Sequence, residues 1–586
     1  MMATTSMPGA IAMQRRQFLK AGAVLASGGL LSACEPAVKA LEGGFTGIQM
    51  DRGHALRDRL KRGGAALEPA VVHRTQVVIA GGGVAGLSAA RSLRLAGVND
   101  FALLELEDQA GGNSRGGQVK GIACPLGAHY LPVPGDDTHE VQDFLEELGL
   151  RKRVSGRWQY DEMTLCHSPQ ERLFFDGHWQ EGLLPMQGVQ PATLQQYQKF
   201  SALVGALSRE APFTMPTMKS WMHGRSLPAA HLALDAITME TWLAQNGLDD
   251  PQLRWYLDYS CRDDYGAGLS RVSAWAAIAY FASRHGFHAP GEDNNGNSNS
   301  NYNQDDAERD SVLTWPEGNG WLSKQLAAPL QSGGQLRVGS SVLRIAETRD
   351  GVEVDVHNAS ADRIERWVAQ RCVVALPVFI AARVVQSAPD FLLQAAQRLH
   401  WAPWLVANIH IDGPLADRQG AAPSWDNVLF ADEVAGGLGY VDAGHQRLDP
   451  RPAPTVLSYY QALGDLKDAR RLLSEQSWTY WRDPIMASLS RVHPDLSERA
   501  TRMEITRYGH AMAIPMPGDQ AFLSRIGVQA AQDQRFALSN GERVPLTPTP
   551  TAGRLSFAHA DWSGYSVFEE AFTRGFSAGG LASLSL

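Results

Sequence analysis

The chain is 586 residues long, 44% hydrophobic and 20% charged, with a formal net charge of −9. These proportions describe an ordinary globular protein of two domains, and the acidic balance without a basic block argues against a nucleic-acid partner. Five cysteines, none at C-x-x-C spacing, support neither a zinc site nor a redox dithiol, so no metal is expected.

The first twenty residues contain Arg15, Arg16 and Lys20 and no acid. Arg15-Arg16-Gln17-Phe18-Leu19-Lys20 resembles the core of a twin-arginine export signal, with Gln14 where Ser or Thr is usual. The apolar run from Ala21 to Ala33 is long enough for a signal and too short to span a bilayer. It ends in Leu31-Ser32-Ala33-Cys34, which resembles a bacterial lipobox. The resemblance implies passage through the twin-arginine translocase as a folded protein, lipidation at Cys34, and a membrane anchor in the periplasm or cell envelope. Residues 35 to about 70 mix Gly, Ala, Arg and Lys without periodicity and are expected as a tether with an ordered lead-in. Gly53-His54-Ala55-Leu56-Arg57 has no functional reading at this level.

Next come a short apolar strand, a glycine turn and a helix start, Val77-Val78-Ile79-Ala80-Gly81-Gly82-Gly83-Val84-Ala85-Gly86. Gly81, Gly83 and Gly86 have the G-x-G-x-x-G spacing of a dinucleotide-binding βαβ unit. Gly81 allows the tight turn and Gly83 lets backbone approach a pyrophosphate. Gly86 lets the helix lie close on the sheet with its N-terminus toward phosphate charge. The helix stops at Gly97, in the C′ position. A second strand, Phe101-Ala102-Leu103-Leu104, ends in Glu105, nineteen positions after Gly86, where an acid bonds a ribose hydroxyl.

Glu105 is followed by Gly111-Gly112-Asn113-Ser114-Arg115. This run resembles the continuation found in the flavin-containing amine oxidase and phytoene desaturase-like superfamily. The resemblance implies bound FAD approached by Gly111, Gly112 and Arg115. It also implies an α/β fold, a Rossmann-like FAD-binding domain of the GR2 type interleaved with a mixed α+β substrate domain. Trp315-Pro316-Glu317-Gly318-Asn319-Gly320-Trp321-Leu322 resembles the family's P-x-G-x-x-x-L element. Leu336 to Ile345 reads as a strand pair, with Val342 where the family places a backbone contact to adenine. Val352 to Val356 alternates as a strand. Arg371-Cys372-Val373-Val374-Ala375-Leu376-Pro377 resembles the strand and A-x-P turn that returns beside the FAD. Thr193 to Arg209 and Val272 to Ser283 have the apolar spacing of cap helices. Gly291 to Asp306, almost entirely Asn, Ser, Gly, Asp, Glu and Gln, reads as a solvated insertion.

Near the C-terminus, Phe557-Ala558-His559-Ala560-Asp561-Trp562-Ser563-Gly564-Tyr565 precedes Phe568-Glu569-Glu570-Ala571. The family has an A-G-D or A-G-E segment here. Ala560 replaces its glycine, and Asp561, with Glu569 as the alternative, is the expected acid near the ribityl–pyrophosphate region. Trp562-Ser563-Gly564-Tyr565 resembles the monoamine oxidase segment whose tyrosine walls an aromatic cage, which makes Tyr565 the candidate cage residue. Tyr508 or His510 is expected to supply the second wall, and Gly127-Ala128-His129-Tyr130 to face the substrate side.

The expected boundaries are a signal at 1–33, a tether at 34–70, FAD-binding sections at 71–135, 311–385 and 551–586, and substrate-domain sections at 136–310 and 386–550. The resemblance implies an exported, lipid-anchored FAD-dependent oxidoreductase that takes hydride from a small-molecule amine or polyamine to flavin N5. With no cysteine after Cys372, the FAD is expected to be held non-covalently. Two alternatives stay open. One is a desaturase or dehydrogenase acting on a C–C bond with a quinone or other carrier. The other is a non-catalytic flavin-fold scaffold of the envelope.

Overall fold

The computed structural model describes residues 41–61, 68–166, 170–217, 226–284, 286–290, 311–449, 451–530, 536–539, 542–546 and 548–586. Residues 1–33, Cys34 and the insertion from Gly291 to Asp306 lie outside the described residues, and with them the expected signal and lipid site.

The run that reads as a buried strand is one: Val71–Ala80 places Val77, Val78, Ile79 and Ala80 at zero exposure. It pairs in parallel with Phe101–Leu104 on one side and with Arg363–Val374 on the other. A strand covered on both faces has no polar side to show, so its sequence is continuously apolar. Arg363–Val374 joins the separate sections of the chain. Along its early part it pairs antiparallel with Val352–Asn358, which pairs in turn with Ser340–Glu347. Its last residues pair in parallel with Leu555–Phe557, which brings the C-terminal section beside the first glycine turn.

The helix Val84–Leu95 follows that turn and is covered by the C-terminal helix Phe568–Ser583. A Cβ on Gly575 would collide with the Ala85 carbonyl, and one on Gly579 with the Ala89 carbonyl. Glycine in a helix interior costs roughly 0.5–1 kcal/mol against alanine. Four residues apart, these two lie on one face and let the backbones touch.

A second sheet of eight strands is built around His400–Ile411, flanked antiparallel by Thr455–Ala462 and Ala500–Ile514. A helical cap joins it. The expected helices appear as Pro191–Glu210 and Ala274–Ala282. Between them, Pro251–Tyr265 is capped by Asp250, which accepts the Gln252 and Leu253 amides, and stops at Gly266 with φ +72.

Within the segment expected as a tether, 34–70, Glu42–Thr46 is an edge strand parallel to Ala500–Ile514, and Met50–Lys61 is a helix. Residues 42–46 and 50–61 thus supply a strand and a helix within this segment, where an ordered lead-in is expected. Short stretches of this kind carry little periodicity of their own, and a partner strand 460 positions away supplies the pairing. Among the described residues no helix is long and apolar enough to cross a membrane, and no acid, histidine or cysteine group could hold a metal ion.

Candidate active site

A cavity of about 470 Å³ is lined at one end by the glycine turns and at the other by the second sheet and the cap. At the first end Gly81 takes φ +103, and a Cβ there would strike the Ala375 carbonyl of the A-x-P turn. Gly83 opens the helix with no side-chain cap, so its first-turn amides have no protein acceptor from a capping side chain. Gly111 bridges to Gly83, and a Cβ on Gly112 would come within 3.2 Å of the Gly83 Cα. An uncapped helix N-terminus between two bare backbones is the cradle that a diphosphate needs, so the residues present fit FAD. Gly86 does not line the cavity. It lets the helix seat on the turn, where a Cβ would meet the Gly81 carbonyl.

Glu105 lines the cavity and is nearly buried. Its Oε2 accepts the Gly82 amide at 2.8 Å and its Oε1 the Glu107 amide at 2.8 Å. Burial pushes its pKa up, against those two amides and the Arg115 charge. An ionised carboxylate accepts about four hydrogen bonds, which leaves acceptor capacity for ribose hydroxyls. Val342 also lines the cavity.

Arg115 differs from expectation. It stands outside the lining, where Asn113 and Ser114 form the wall. Its Nε donates to the Gly112 carbonyl at 2.9 Å and its Nη1 lies 3.5 Å from Glu107. It braces the double-glycine turn instead of facing the cavity.

Asp561 lines the cavity beneath the A-x-P turn, where its Oδ2 accepts the Val378 amide at 2.9 Å and its Oδ1 lies 3.2 Å from His559 Nδ1. Burial pushes this carboxyl up, but His559 and the Val378 amide outweigh it and hold the pKa below the usual range. Glu569, the alternative, also lines the cavity, its pKa raised by burial and opposed by the Arg284 charge.

Tyr565 does not line the cavity. It is 2% exposed in the core of the helical cap, its hydroxyl bonded to Glu570 at 2.9 Å and to Thr217. Expecting it as a cage wall is corrected by this geometry: Gly564, with φ +82, turns the chain so that Ser566, Val567 and Phe568 face the cavity instead.

Aromatic walls come from the second sheet. Trp404 and Tyr508 face each other across strand partners, and Tyr460 stands on the next strand. The Tyr460 hydroxyl donates to the Gly127 carbonyl at 2.9 Å and the Tyr508 hydroxyl to the Leu126 carbonyl at 2.7 Å. The His129 ring lies tilted against Tyr460, with 4.3 Å between ring centroids. Burial lowers His129 to about 3 and, with nearby Arg470 and Arg383, His510 to about 4. Both expected second-wall residues, Tyr508 and His510, line the cavity, and so does the 127–130 segment.

Sequence reasoning missed Trp404 and Tyr460, and it missed a charged cluster. Asp263 and Asp264, in the last turn of Pro251–Tyr265, line the cavity with Arg284. Arg284 Nη1 lies 3.5 Å from Asp264. Burial, then the neighbouring Asp264, pushes Asp263 up to about 7, and its charge reaches Tyr130 and Tyr460. Acids at a helix C-terminus oppose the macrodipole. Arg262-Asp263-Asp264-Tyr265-Gly266 therefore carried a local signal that could have marked the site.

Residues 84–578 match the family of flavin containing amine oxidoreductases. Putrescine oxidase of Kocuria rosea is 30% identical over 174 residues, 30% of this chain and 32% of that protein. Protein anon-37Cs of Drosophila lebanonensis is 35% identical over 85 residues, 14% of this chain and 16% of that protein. The chain thus spans about a third or less of the length of these relatives. Solved structures share the fold across most of the chain. A putrescine oxidase bound to putrescine has a TM-score of 0.59 at 17% identity, over 87% of this chain and 98% of that one. Cyclohexylamine oxidase from Brevibacterium oxydans IH-35A has a TM-score of 0.59 at 17% identity, over 87% and 99%. A CLA-producing fatty acid isomerase from P. acnes has 0.55 at 15%, over 86% and 97%. The family match runs from the helix that follows the glycine turn to the C-terminal helix that packs on it, and the chain belongs to the flavin-containing amine oxidoreductases as an FAD-dependent enzyme.

Proposed function

We propose that the substrate is an amine carrying a second positive charge, a diamine or polyamine. The observation that carries this reading is the meeting of Asp263, Asp264 and Glu569 with the Tyr460, Trp404 and Tyr508 rings in one cavity. FAD supplies the two-electron acceptor for oxidation of the C–H bond beside nitrogen. The chain's residues do the rest. Aromatic faces attract an ammonium and exclude water, and the neutral His129 and His510 rings do not repel it. With Arg284 matched by Asp264, the remaining carboxylates are available to hold a distal ammonium. The imine product is hydrolysed by water to a carbonyl compound and an amine.

The shared fold does not choose the chemistry, because a fatty acid isomerase also has it. Charge favours the amine: a fatty carboxylate entering this end would meet Asp263 and Glu569. Anaerobic mixing with diamines, monoamines and fatty acids tests the reading. Bleaching of the flavin absorbance fastest with diamines supports it, and bleaching by fatty acids alone overturns it.

We also propose export by the twin-arginine route and lipidation at Cys34, on the strength of the motif order from Arg15 to Cys34. Replacing Arg15 and Arg16 by lysine should leave precursor in the cytosol, and Cys34→Ala should abolish fatty-acid labelling. Normal export and labelling in these variants would sink the proposal.

A further inference from the structure

Gly53, in the stretch that the sequence left without a role, lines the FAD cavity. It belongs to the helix Met50–Lys61, outside the 84–578 family match. We propose that this helix is a further element of the cofactor site, a strap closed over the adenosine end of the FAD.

The strap is fastened at two places on its N-terminal side. On one side, Glu42–Thr46 is zipped to Ala500–Ile514, from Glu42 opposite Arg502 to Thr46 opposite Thr506. The Arg507 guanidinium lies 3.5 Å over the Phe45 ring, a cation–π contact that fixes this strand from the side-chain direction. On the other side the chain crosses to the FAD-binding sheet and grips the residues that follow Glu105. The Gln49 amide meets the Glu107 carboxylate at 3.1 and 3.2 Å, and Gln49 Nε2 donates to Asp108 at 3.3 Å. Arg52 Nη1 donates to the Leu106 carbonyl at 2.9 Å and to Asp108 at 2.8 Å. Glu107 also donates its amide to Glu105, so the strap and the ribose acid share one loop.

Directly after the second fastening, Gly53 forms cavity wall with its backbone. A helix-interior glycine costs roughly 0.5–1 kcal/mol against alanine, and nothing in the protein crowds this one out: a Cβ there would meet no heavy atom within 4 Å. The open space on its bare side fits close approach of a ligand. The helix also packs against Ser340–Glu347, the strand that carries Val342. The adenosine half of FAD then leaves only when the strap lifts, and lifting breaks the charged contacts of Arg52. The strap supplies retention where no covalent bond does.

Flavin release from the full-length holoenzyme tests this without reference to turnover. Free FAD fluorescence is followed after dilution, for the parent and for Arg52→Ala, Asp108→Ala and Gly53→Trp. Losing charge-assisted hydrogen bonds should speed release about tenfold in Arg52→Ala and Asp108→Ala, with unchanged circular dichroism. Asp108 is well exposed, and its substitution removes at once the Gln49 and Arg52 side-chain bonds that it accepts, leaving the Arg52 bond to the Leu106 carbonyl and the Gln49 amide on Glu107. Gly53→Trp should lower the flavin content as purified. Release at the parent rate from Asp108→Ala overturns the proposal, and so does full loading of Gly53→Trp.

Discussion

The Glu105 carboxylate accepts the Gly82 backbone amide at 2.8 Å, so this acid and the glycine turn form one hydrogen-bonded unit. Cutting that unit has two effects. Glu105→Ala removes the acceptor for ribose hydroxyls and leaves the buried Gly82 amide without its partner. Charge-assisted hydrogen bonds are worth about 1.5–3 kcal/mol each, so FAD occupancy should fall at least tenfold. Gly83→Val should be more severe, because a branched side chain would enter the gap between Gly83 and Gly112. Flavin-to-protein absorbance ratios with far-UV circular dichroism check both. Full occupancy in either variant contradicts this placement of the cofactor.

Carboxylates in the last turn of Pro251–Tyr265 give a pH dependence. Asp263 has its pKa raised to about 7 by burial and Asp264, with Glu171 adding to the rise and Arg284 and Arg262 opposing it. It is neutral below that pH and anionic above. For a dicationic amine, kcat/KM should rise as pH passes from 6 to 8. Asp263→Asn should flatten the rise and increase KM for a diamine about tenfold, with a smaller effect on a monoamine. Linkage runs the other way for stability. The folded chain holds this proton more tightly than the unfolded chain, so the group's contribution to stability falls as pH rises from about 4 to about 7. A pH profile of diamine oxidation that is the same in Asp263→Asn as in the parent removes Asp263 from the site.

Tyr565 and Tyr460 separate core packing from the cavity wall. Tyr565→Phe removes a hydroxyl from Glu570, which also accepts the Thr217 amide at 2.6 Å and the Ser563 hydroxyl at 2.5 Å. The expected cost is about 1–2 kcal/mol of stability, with little change in turnover. Tyr460→Ala should instead lower kcat/KM for amines by at least tenfold and leave flavin content intact. Thermal melts and steady-state kinetics on both variants test the assignment. A large kinetic defect in Tyr565→Phe without loss of stability would return that residue to the cage.

What the sequence revealed follows from how local each feature is. The strand at Val77, the glycines from Gly81 to Gly86 and Glu105 lie within one βαβ unit, so spacing alone carries their geometry. Arg115 is in register with that unit, yet its direction depends on Glu107 and the Gly112 carbonyl, and spacing says nothing about where a side chain points. Trp404, Tyr460 and Tyr508 come from three different strands, and Asp263 and Arg284 from the cap. They meet only when the second sheet forms. Tyr565 misled because its neighbours in sequence do reach the cavity, whereas a left-handed Gly564 turns its own ring into the cap. Residues 42–61 gave no periodic signal because their order comes from Ala500–Ile514 and the 106–108 loop.

How the flavin is held follows from the wall it touches. A thioether link to flavin needs a cysteine thiol at the cavity surface, and none of Cys124, Cys166, Cys261 and Cys372 lines it. Burial pushes the Cys124, Cys166 and Cys372 thiols up to about 12, so they stay protonated and poorly nucleophilic. Cys372 lies inside the strand Arg363–Val374 at zero exposure, and no cysteine follows it in the chain. The glycine cradle, Glu105 and the uncapped helix end are expected to hold the FAD without a covalent bond. Acid precipitation should therefore release all of the FAD into the supernatant as free yellow cofactor. Flavin that stays in the pellet, with a matching mass increase on a tryptic peptide, would disprove this and point to one of the cavity histidines, His129, His510 or His559.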